Sequence, residues 1–588
     1  MFPVRPFEPD YARLHDPVTQ PVNRYGTPID TVPPDHPLRA QDFIINGESL
    51  PPANPNRYKQ HGFFFNADNC IACHACEAAC SEKNDNPAHI AFRSVGFVEG
   101  GTYPNTQRLN ISMACNHCDN PVCLKGCPTR AYTKFAEYGA VLQDPDICFG
   151  CGYCTWVCPY NAPQLDPIKG QVSKCNMCVD RLEVGLKPAC VSACLGKALD
   201  FGVIENIPEG RAQAKTDIPG FPSPDITHPN VRFQQTRTPQ RDMLRVDSMP
   251  LKYHKDDGAG VFRPQLDPKH GFDRQWNLKK LLTSHENAHI AFTLSAQAVM
   301  GAFVMLMSGA FAGLDTLATL VVMLALMSFG LFKLNMHLGK PHRFYRGFNN
   351  WRLSPVSREI AGVSLFFAGL TGTTFFTLFP GFPFAELLKP AAMGAGLVGL
   401  GFGGYYMYKL YRIKARPFWD HWQTGSSFIG TGLGLGGLLL GLLGTAQGVM
   451  TGELAAGLGA LMALGFGLEG IGLLAHAHDL NTRDNEGAAS HYEQATRYGW
   501  PYLLRNGLLG LSLVLAALLA LTGSAGLFAP LLVTALAAAI IGRALFYVLV
   551  IPTTMPGAFF WRNKGFVEHA KEVGLAEMPQ LGVVPDTH

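Results

Sequence analysis

The hydrophobic and polar positions of this chain fall into two regimes that meet near residue 285. Beyond that point apolar residues run on without the polar positions that mark the wet face of a soluble helix. No Asp, Glu, Lys or Arg lies between Glu286 and Asp315. A stretch of that length crosses a hydrocarbon core of ~30 Å at ~1.5 Å per residue. Eight membrane-spanning helices are predicted, at about 288–312, 317–337, 360–379, 390–410, 424–446, 453–477, 504–523 and 527–551. The last two are parted only by Thr522-Gly523-Ser524-Ala525-Gly526, a helix-breaking hinge in one uncharged run. Helices are expected here because lipid offers the backbone no hydrogen-bond partner. Small residues recur four apart at Gly399/Gly403, Gly430/Gly434 and Gly437/Gly441, which predicts close helix–helix approach.

Before residue 285 the pattern changes. Residues 1–60 hold twelve prolines and little periodicity, so neither regular helix nor a central strand is expected. Composition leaves two readings, a disordered arm or an extended segment laid across a partner subunit. Residues 61–203 are rich in cysteine, and residues 204–284 are Pro-rich and charged, as in a linker. The expected order is an arm (1–60), a cysteine domain (61–203), an extension or linker (204–284), a membrane anchor (285–555) and a cytoplasmic tail (556–588).

Composition sharpens this division. A chain of 588 residues exceeds one core. All 16 cysteines lie between Cys70 and Cys194, most of them separated by two or three residues. Such gaps are too short for bridges between neighbours and suit thiolate ligands of metal. Formal net charge is only +3 and no basic patch is interleaved with aromatics, so no nucleic-acid partner is expected. The polar, proline-broken start MFPVRPFEPD carries neither the apolar core of a signal peptide nor a twin-arginine pair.

Charge also suggests an orientation. An even number of spans puts both ends of the bundle on one side. Cations gather on that side: Lys340, Arg343, Arg346, Arg352 and Arg358 after span two, and Lys409, Arg412, Lys414 and Arg416 after span four. Arg483, Arg497 and Arg505 after span six, and Arg562, Lys564 and Lys571 in the tail, continue the series. The opposite loops hold only Lys389. The positive-inside rule then places the cysteine domain on the cytoplasmic face of the cell (inner) membrane.

The cysteines form four groups of four. They are Cys70-x2-Cys73-x2-Cys76-x3-Cys80, Cys115-x2-Cys118-x4-Cys123-x3-Cys127, Cys148-x2-Cys151-x2-Cys154-x3-Cys158 and Cys175-x2-Cys178-x11-Cys190-x3-Cys194. Proline follows Cys127 and Cys158. The third group matches the bacterial ferredoxin run, in which three thiolates wrap one cubane and the fourth reaches a second. Structural zinc is the competing reading, since two separated C-x2-C pairs suit a tetrahedral ion, and the fourth group alone fits it. A run of three ligands at two-residue gaps plus a fourth favours [4Fe–4S] clusters. The alternative function would be a non-redox membrane zinc protein, a scaffold or transporter.

At these residues the chain resembles a known family. GFFFNADNCIACHACEAAC, CNHCDNPVC, CFGCGYCTWVCPYNAPQ, KCNMCVDR and ALDFG resemble the iron–sulfur subunit of the dimethyl sulfoxide reductase family of molybdopterin oxidoreductases. HLGKPHR, SREI and IGRALFY resemble its membrane-anchor subunit. Leu195 stands after Cys194 where proline is usual, which leaves the ligand itself untouched. The resemblance implies a fusion of the two subunits, with a fold of an α+β bis-ferredoxin-like domain followed by an all-α eight-helix transmembrane bundle. It implies four [4Fe–4S] clusters: one on Cys70, Cys73, Cys76 and Cys194, and one on Cys80, Cys175, Cys178 and Cys190. The other two take Cys115, Cys118, Cys123 and Cys158, and Cys127, Cys148, Cys151 and Cys154. Molybdopterin would reside on a separate catalytic subunit, membrane sulfite dehydrogenases being relatives within the family.

The same resemblance associates His337, at the end of span two, with a quinone site, where an imidazole that titrates near neutrality is suited to moving protons. Lys340, Arg343 and Glu359 flank that loop as further candidates to orient quinone or relay protons. The plain alternative for His337 is a helix-end histidine bonded to a carbonyl. Glu469 and Arg543 lie inside spans six and eight and are expected to form a mutual ion pair, with a proton path as the second reading. His289, His421, His476 and His478 are scattered near span ends, and no haem is expected. The function expected is electron transfer between a molybdenum partner and the quinone pool, by sulfite:quinone oxidation or quinol-driven S- or N-oxide reduction.

Overall fold

The computed structural model describes residues 8–550 except 15–19, 46–47, 51–52, 88, 207–217, 235–237, 246–249, 259, 268–272, 284–285 and 310–312. The expected tail, 556–588, with Arg562, Lys564 and Lys571, lies outside the described residues. The chain divides into two compact units, Met1–His270 and Gly271–Ile551.

The first unit is β-rich, with short helices set into its cysteine loops. It begins with β1 (Phe43–Ile45), β2 (Glu48–Leu50), β3 (His61–Asn66), α1 (Ala75–Lys83), β4 (Arg93–Thr102) and β5 (Asn105–Ala114). The middle holds α2 (Val122–Gly126), β6 (Tyr132–Lys134), β7 (Val141–Gln143), α3 (Tyr153–Val157), β8 (Gln164–Asp166) and β9 (Gln171–Ser173). It closes with α4 (Val179–Leu182), α5 (Ala189–Ser192), β10 (Leu199–Val203), β11 (Val231–Gln234), β12 (Asp242–Arg245), β13 (Leu251–Lys255) and β14 (Phe262–Leu266). Helix α1 packs on α5, and α2 on α3, two helix pairs as a doubled ferredoxin requires.

The strands after residue 203 change the expected boundary. β11 pairs in parallel with β3, opposite the antiparallel β10. β12, β13 and β14 extend the β4–β5 hairpin into a five-stranded sheet. Much of the expected linker is therefore sheet of the cysteine domain. Its strands are short, and β12 (Asp-Met-Leu-Arg) buries Met243 and Arg245 while exposing Leu244, so no apolar–polar alternation stands out among the prolines and charges.

The expected arm is corrected likewise, because its described residues lie along their own domain. Ile29 is fully buried with Val203 and Ile204. The Arg57 Nε donates to Glu183 at 2.9 Å, and the Asn23 amide to Asp119 at 2.6 Å. The Leu14 N–H reaches the Gly185 carbonyl, and that of Lys187 the Ala12 carbonyl. Proline removes donors from this segment, and isolated bonds to a neighbouring surface satisfy those that remain.

The second unit is helical: α6 (Leu278–Leu282), α7 (Asn287–Met307), α8 (Thr316–His337), α9 (Pro355–Leu378), α10 (Ala385–Lys409), α11 (Gln423–Ala446), α12 (Gly452–Thr482), α13 (Gly487–Ala495), α14 (Gly499–Thr522) and α15 (Phe528–Val548). Eight of these are long and apolar enough to cross a membrane. Starts are set by caps: Asp315 accepts from the Ala318 N–H, Ser354 from Ser357 and Thr451 from Leu454. Helix α10 begins five residues before its predicted start, with Pro390 inside it. Two of the predicted close approaches join α9 to α10, where a Cβ on Gly399 would sit 2.8 Å from Phe366 Cα and one on Gly403 2.9 Å from the Gly362 carbonyl carbon. Gly437 and Gly434 likewise press α11 against Met462 and Phe466 of α12. Arg505, expected in a loop, is buried within α14.

Candidate functional site

In each cysteine motif the residue before the second cysteine has positive φ: Ala72 (53°), His117 (43°), Gly150 (76°) and Met177 (62°). That left-handed step curls the loop so that successive thiols share its concave side, and three of the four are residues that resist it. Strain of this kind, repeated in three of the four motifs, is typical of a binding loop.

The cysteines are part of the core itself. Cys76, Cys80, Cys115, Cys118, Cys158, Cys175 and Cys190 belong to one apolar cluster, and Cys127, Cys148 and Cys154 to another. Motifs distant in sequence converge. A cavity of about 340 Å³ is lined by Cys70, Cys73, Cys76 and Cys194. A second, of about 360 Å³, is lined by Cys115, Cys118, Cys123 and Cys158. Cys80 lies within electrostatic reach of Cys190, Cys175 and Cys178, and Cys154 of Cys151, Cys127 and Cys148.

Burial pushes these thiols up, Cys76 and Cys178 to about 11 and Cys175 to about 12, with neighbouring thiolates adding to it. At these three sulfurs a bound metal would replace a proton. Among the described residues no three His, Cys, Asp or Glu side chains converge on a point as ligands of a single ion. Thiols gathered in fours around a cavity fit the ligand set of an iron–sulfur cluster. The backbone supplies donors to sulfur: Met177 N–H to Cys175 Sγ at 3.4 Å and Leu199 N–H to Cys194 Sγ at 3.3 Å.

The sets also adjoin one another. Cys76 lies within reach of Cys190, and Cys175 of Cys115. The buried Tyr132 phenol lies beside Cys154, Cys123 and Cys127. The order of neighbours is thus the Cys70, Cys80, Cys115 and Cys127 sets.

The cysteine-rich region matches a family of 4Fe-4S dicluster domains over residues 107–204, and residues 282–549 match the DMSO reductase anchor subunit (DmsC). Over 182 residues the sequence is 38% identical to a polypeptide of the anaerobic dimethyl sulfoxide reductase of Haemophilus influenzae, covering 29% of this chain and 88% of that protein. Its Escherichia coli counterpart is 38% identical over 180 residues, 29% of this chain and 87% of its own. The chain thus belongs to the dimethyl sulfoxide reductase family. It joins in one polypeptide an iron–sulfur electron-transfer domain and a membrane anchor of that family, and is an integral membrane protein. One subunit of the sulfite dehydrogenase of Allochromatium vinosum is also similar, 37% identical over 158 residues, 23% of this chain and 66% of that protein.

In the anchor of this dimethyl sulfoxide reductase family member, His337 is the last residue of α8. Lys340 caps the short 3-10 helix Pro341–Phe348, whose Arg343 N–H donates to the Lys340 carbonyl at 3.0 Å. Glu359 lies in the first turns of α9, half-buried. Phe344, Tyr345, Phe348 and Trp351 are exposed beside Arg343, Arg346 and Arg352, a composition suited to the membrane–water boundary.

Sequence reasoning missed the neighbours of His337. The His289 ring lies edge-on to it at 4.5 Å, and the Tyr547 ring lies 5.6 Å from His289. Tyr547 and Tyr411 share a hydroxyl hydrogen bond of 2.7 Å. His289 lies in the first turn of α7 and His337 ends α8, and the packing of these two helices brings the rings together. The expected Glu469–Arg543 ion pair takes another form. Thr431 stands between them, 3.5 Å from Glu469 and 3.4 Å from Arg543, while Arg543 donates to Gln297 at 2.7 Å. Glu469, Thr431 and Arg543 border a cavity of about 580 Å³ that Arg505, His476 and His491 also line.

Proposed function

We propose that this chain is the electron-transfer and quinone-reactive anchor subunit of a molybdopterin oxidoreductase, linking a separate molybdenum catalytic subunit to the membrane quinone pool. The observation that carries this reading is the gathering of sixteen cysteines into four sets that follow one another in space. We assign one [4Fe–4S] cluster to each set: Cys70, Cys73, Cys76 and Cys194; Cys80, Cys175, Cys178 and Cys190; Cys115, Cys118, Cys123 and Cys158; Cys127, Cys148, Cys151 and Cys154. When bound, such clusters supply one-electron steps at potentials set by charge, hydrogen bonds and exposure.

The residues of the anchor serve the protons that accompany those electrons. His337, its imidazole held against His289, accepts or returns the proton of the quinol hydroxyl. Glu359 is a second proton carrier, and Lys340 and Arg343 offer cationic donors to quinone oxygens. The cation-rich loops after spans two, four and six favour a cytoplasmic cysteine domain. That side favours oxidation of sulfite with reduction of quinone.

Three measurements on the intact complex test this. Iron analysis should return about sixteen irons per chain, and stoichiometric zinc instead would refute the assignment. Sulfite-dependent quinone reduction should exceed quinol-dependent sulfoxide reduction, and the reverse ranking would turn the direction around. His337→Ala should abolish electron exchange between quinol and the clusters with iron content unchanged; unaltered kinetics would remove His337 from the site.

A further inference from the structure

We infer that Arg93 is a fixed counter-ion shared by two adjacent iron–sulfur centres and that its charge holds the reduction potentials of both up. The inference rests on the four-cluster reading above. Arg93 opens β4 and is 3% exposed, with its guanidinium 4.6 Å over the Phe63 ring. Its Nη1 donates to the Ser112 carbonyl at 3.3 Å and to Ser112 Oγ at 3.1 Å. Ser112 Oγ in turn lies 3.4 Å from Cys76 Sγ. The Nε, also buried, has no hydrogen-bond partner among the described residues.

A buried guanidinium cannot shed its proton, so it needs negative charge close by. The opposite charges that act on it most strongly are the thiolates of Cys190, Cys76, Cys80 and Cys175. Cys76 belongs to the Cys70 set, whereas Cys80, Cys175 and Cys190 form the next one. The cation therefore sits at the joint between two centres. A cubane held by four thiolates is net negative, and adding an electron makes it more so. A positive charge in this low-dielectric place favours the reduced state, raising the potential of whichever centre takes the electron.

The other joints differ, which gives the effect an address. Lys174 Nζ, 3.4 Å from Cys115 Sγ, serves the joint between the Cys80 and Cys115 sets. Between the Cys115 and Cys127 sets stands the neutral Tyr132 phenol. Loss of the Arg93 charge should thus be felt by the first two centres and not by the Cys127 centre.

The test is an EPR-monitored redox titration of the membrane-bound complex carrying Arg93→Met or Arg93→Lys, with iron measured on each sample. Arg93→Met should make reduction of two of the four centres at least tenfold less favourable, about 59 mV for a one-electron couple. The remaining midpoints should hold, and Arg93→Lys should restore most of the loss. Iron-replete Arg93→Met with unchanged midpoints, or equal shifts in both variants, would overturn the inference. Loss of iron in Arg93→Met but not in Arg93→Lys supports it, because charge then decides; loss in both assigns Arg93 to packing and overturns it. Native protein without clusters would instead sink the reading on which it rests.

Discussion

Helix α10 carries glycines on two faces, and they should respond oppositely to a single methyl group. A Cβ on Gly399 would lie 2.8 Å from both Phe366 Cα and the Leu365 carbonyl carbon, and nearer still to the Phe366 amide nitrogen, all backbone that cannot swing aside. Ordinary contact begins at 3.4 Å, so α9 and α10 must part locally by at least ~0.6 Å. A gap of that size forfeits a quarter or more of the attraction at neighbouring contacts, Gly362 against Gly403 among them. Overpacking of this kind costs about 1–3 kcal/mol. For a bundle of this size that is a fall of roughly 2–12 °C in melting temperature. Gly401, two residues on, has nothing within 4 Å of its Cβ position. There alanine only improves helix propensity, by about 0.5–1 kcal/mol. We expect Gly399→Ala to lower, and Gly401→Ala to hold or raise, the midpoint of thermal aggregation of detergent-solubilised protein followed by size exclusion. Iron content should be unchanged in both. Equal shifts, or a stable Gly399→Ala, would refute the packing argument.

Other expectations concern the cysteine domain and its arm. Arg57→Met strands the buried Glu183 carboxylate and should cost about 3–5 kcal/mol, whereas adding Glu183→Gln should recover much of it; equal stability of single and double variants in a denaturant titration would dismiss the pair. Burial alone would raise Glu205, but the Arg232 hydrogen bond and charge hold it below 4.5. Its contribution is present above pH 4.5 and lost as pH falls through the lowered value, so Glu205→Gln should flatten the acid limb of stability measured by limited proteolysis. Removing iron empties the cavities between the cysteine motifs, and should unfold the cysteine domain, its strands up to Leu266 included, while the anchor keeps its helical circular dichroism. Cys154→Ser should delete or convert the signal of one EPR centre and leave those of the other sets; loss of no centre would dissolve the assignment of Cys154.

Sequence alone determined the parts of this protein that depend on composition and short spacing. Lipid demands uninterrupted apolar helices, so eight spans are legible without neighbours. Cubane ligation favours thiols at short gaps, so sixteen cysteines stand out as candidate ligands from their order alone. Glycines four apart were legible as contact points for the same reason of local geometry. What only tertiary structure decided are relations between distant positions. The proline-rich arm reads as unstructured because its bonds go to Glu183, Asp119 and Gly185 rather than to itself. The strands after residue 203 are recognisable only once β3 and β4 are there to pair with. His289 meets His337, and Thr431 separates Glu469 from Arg543, through helix packing that no spacing rule encodes. No motif in the sequence marks Arg93, which folding seals among thiols of two motifs. Ligand type is a property of the sequence, whereas the charge that surrounds a ligand is a property of the fold.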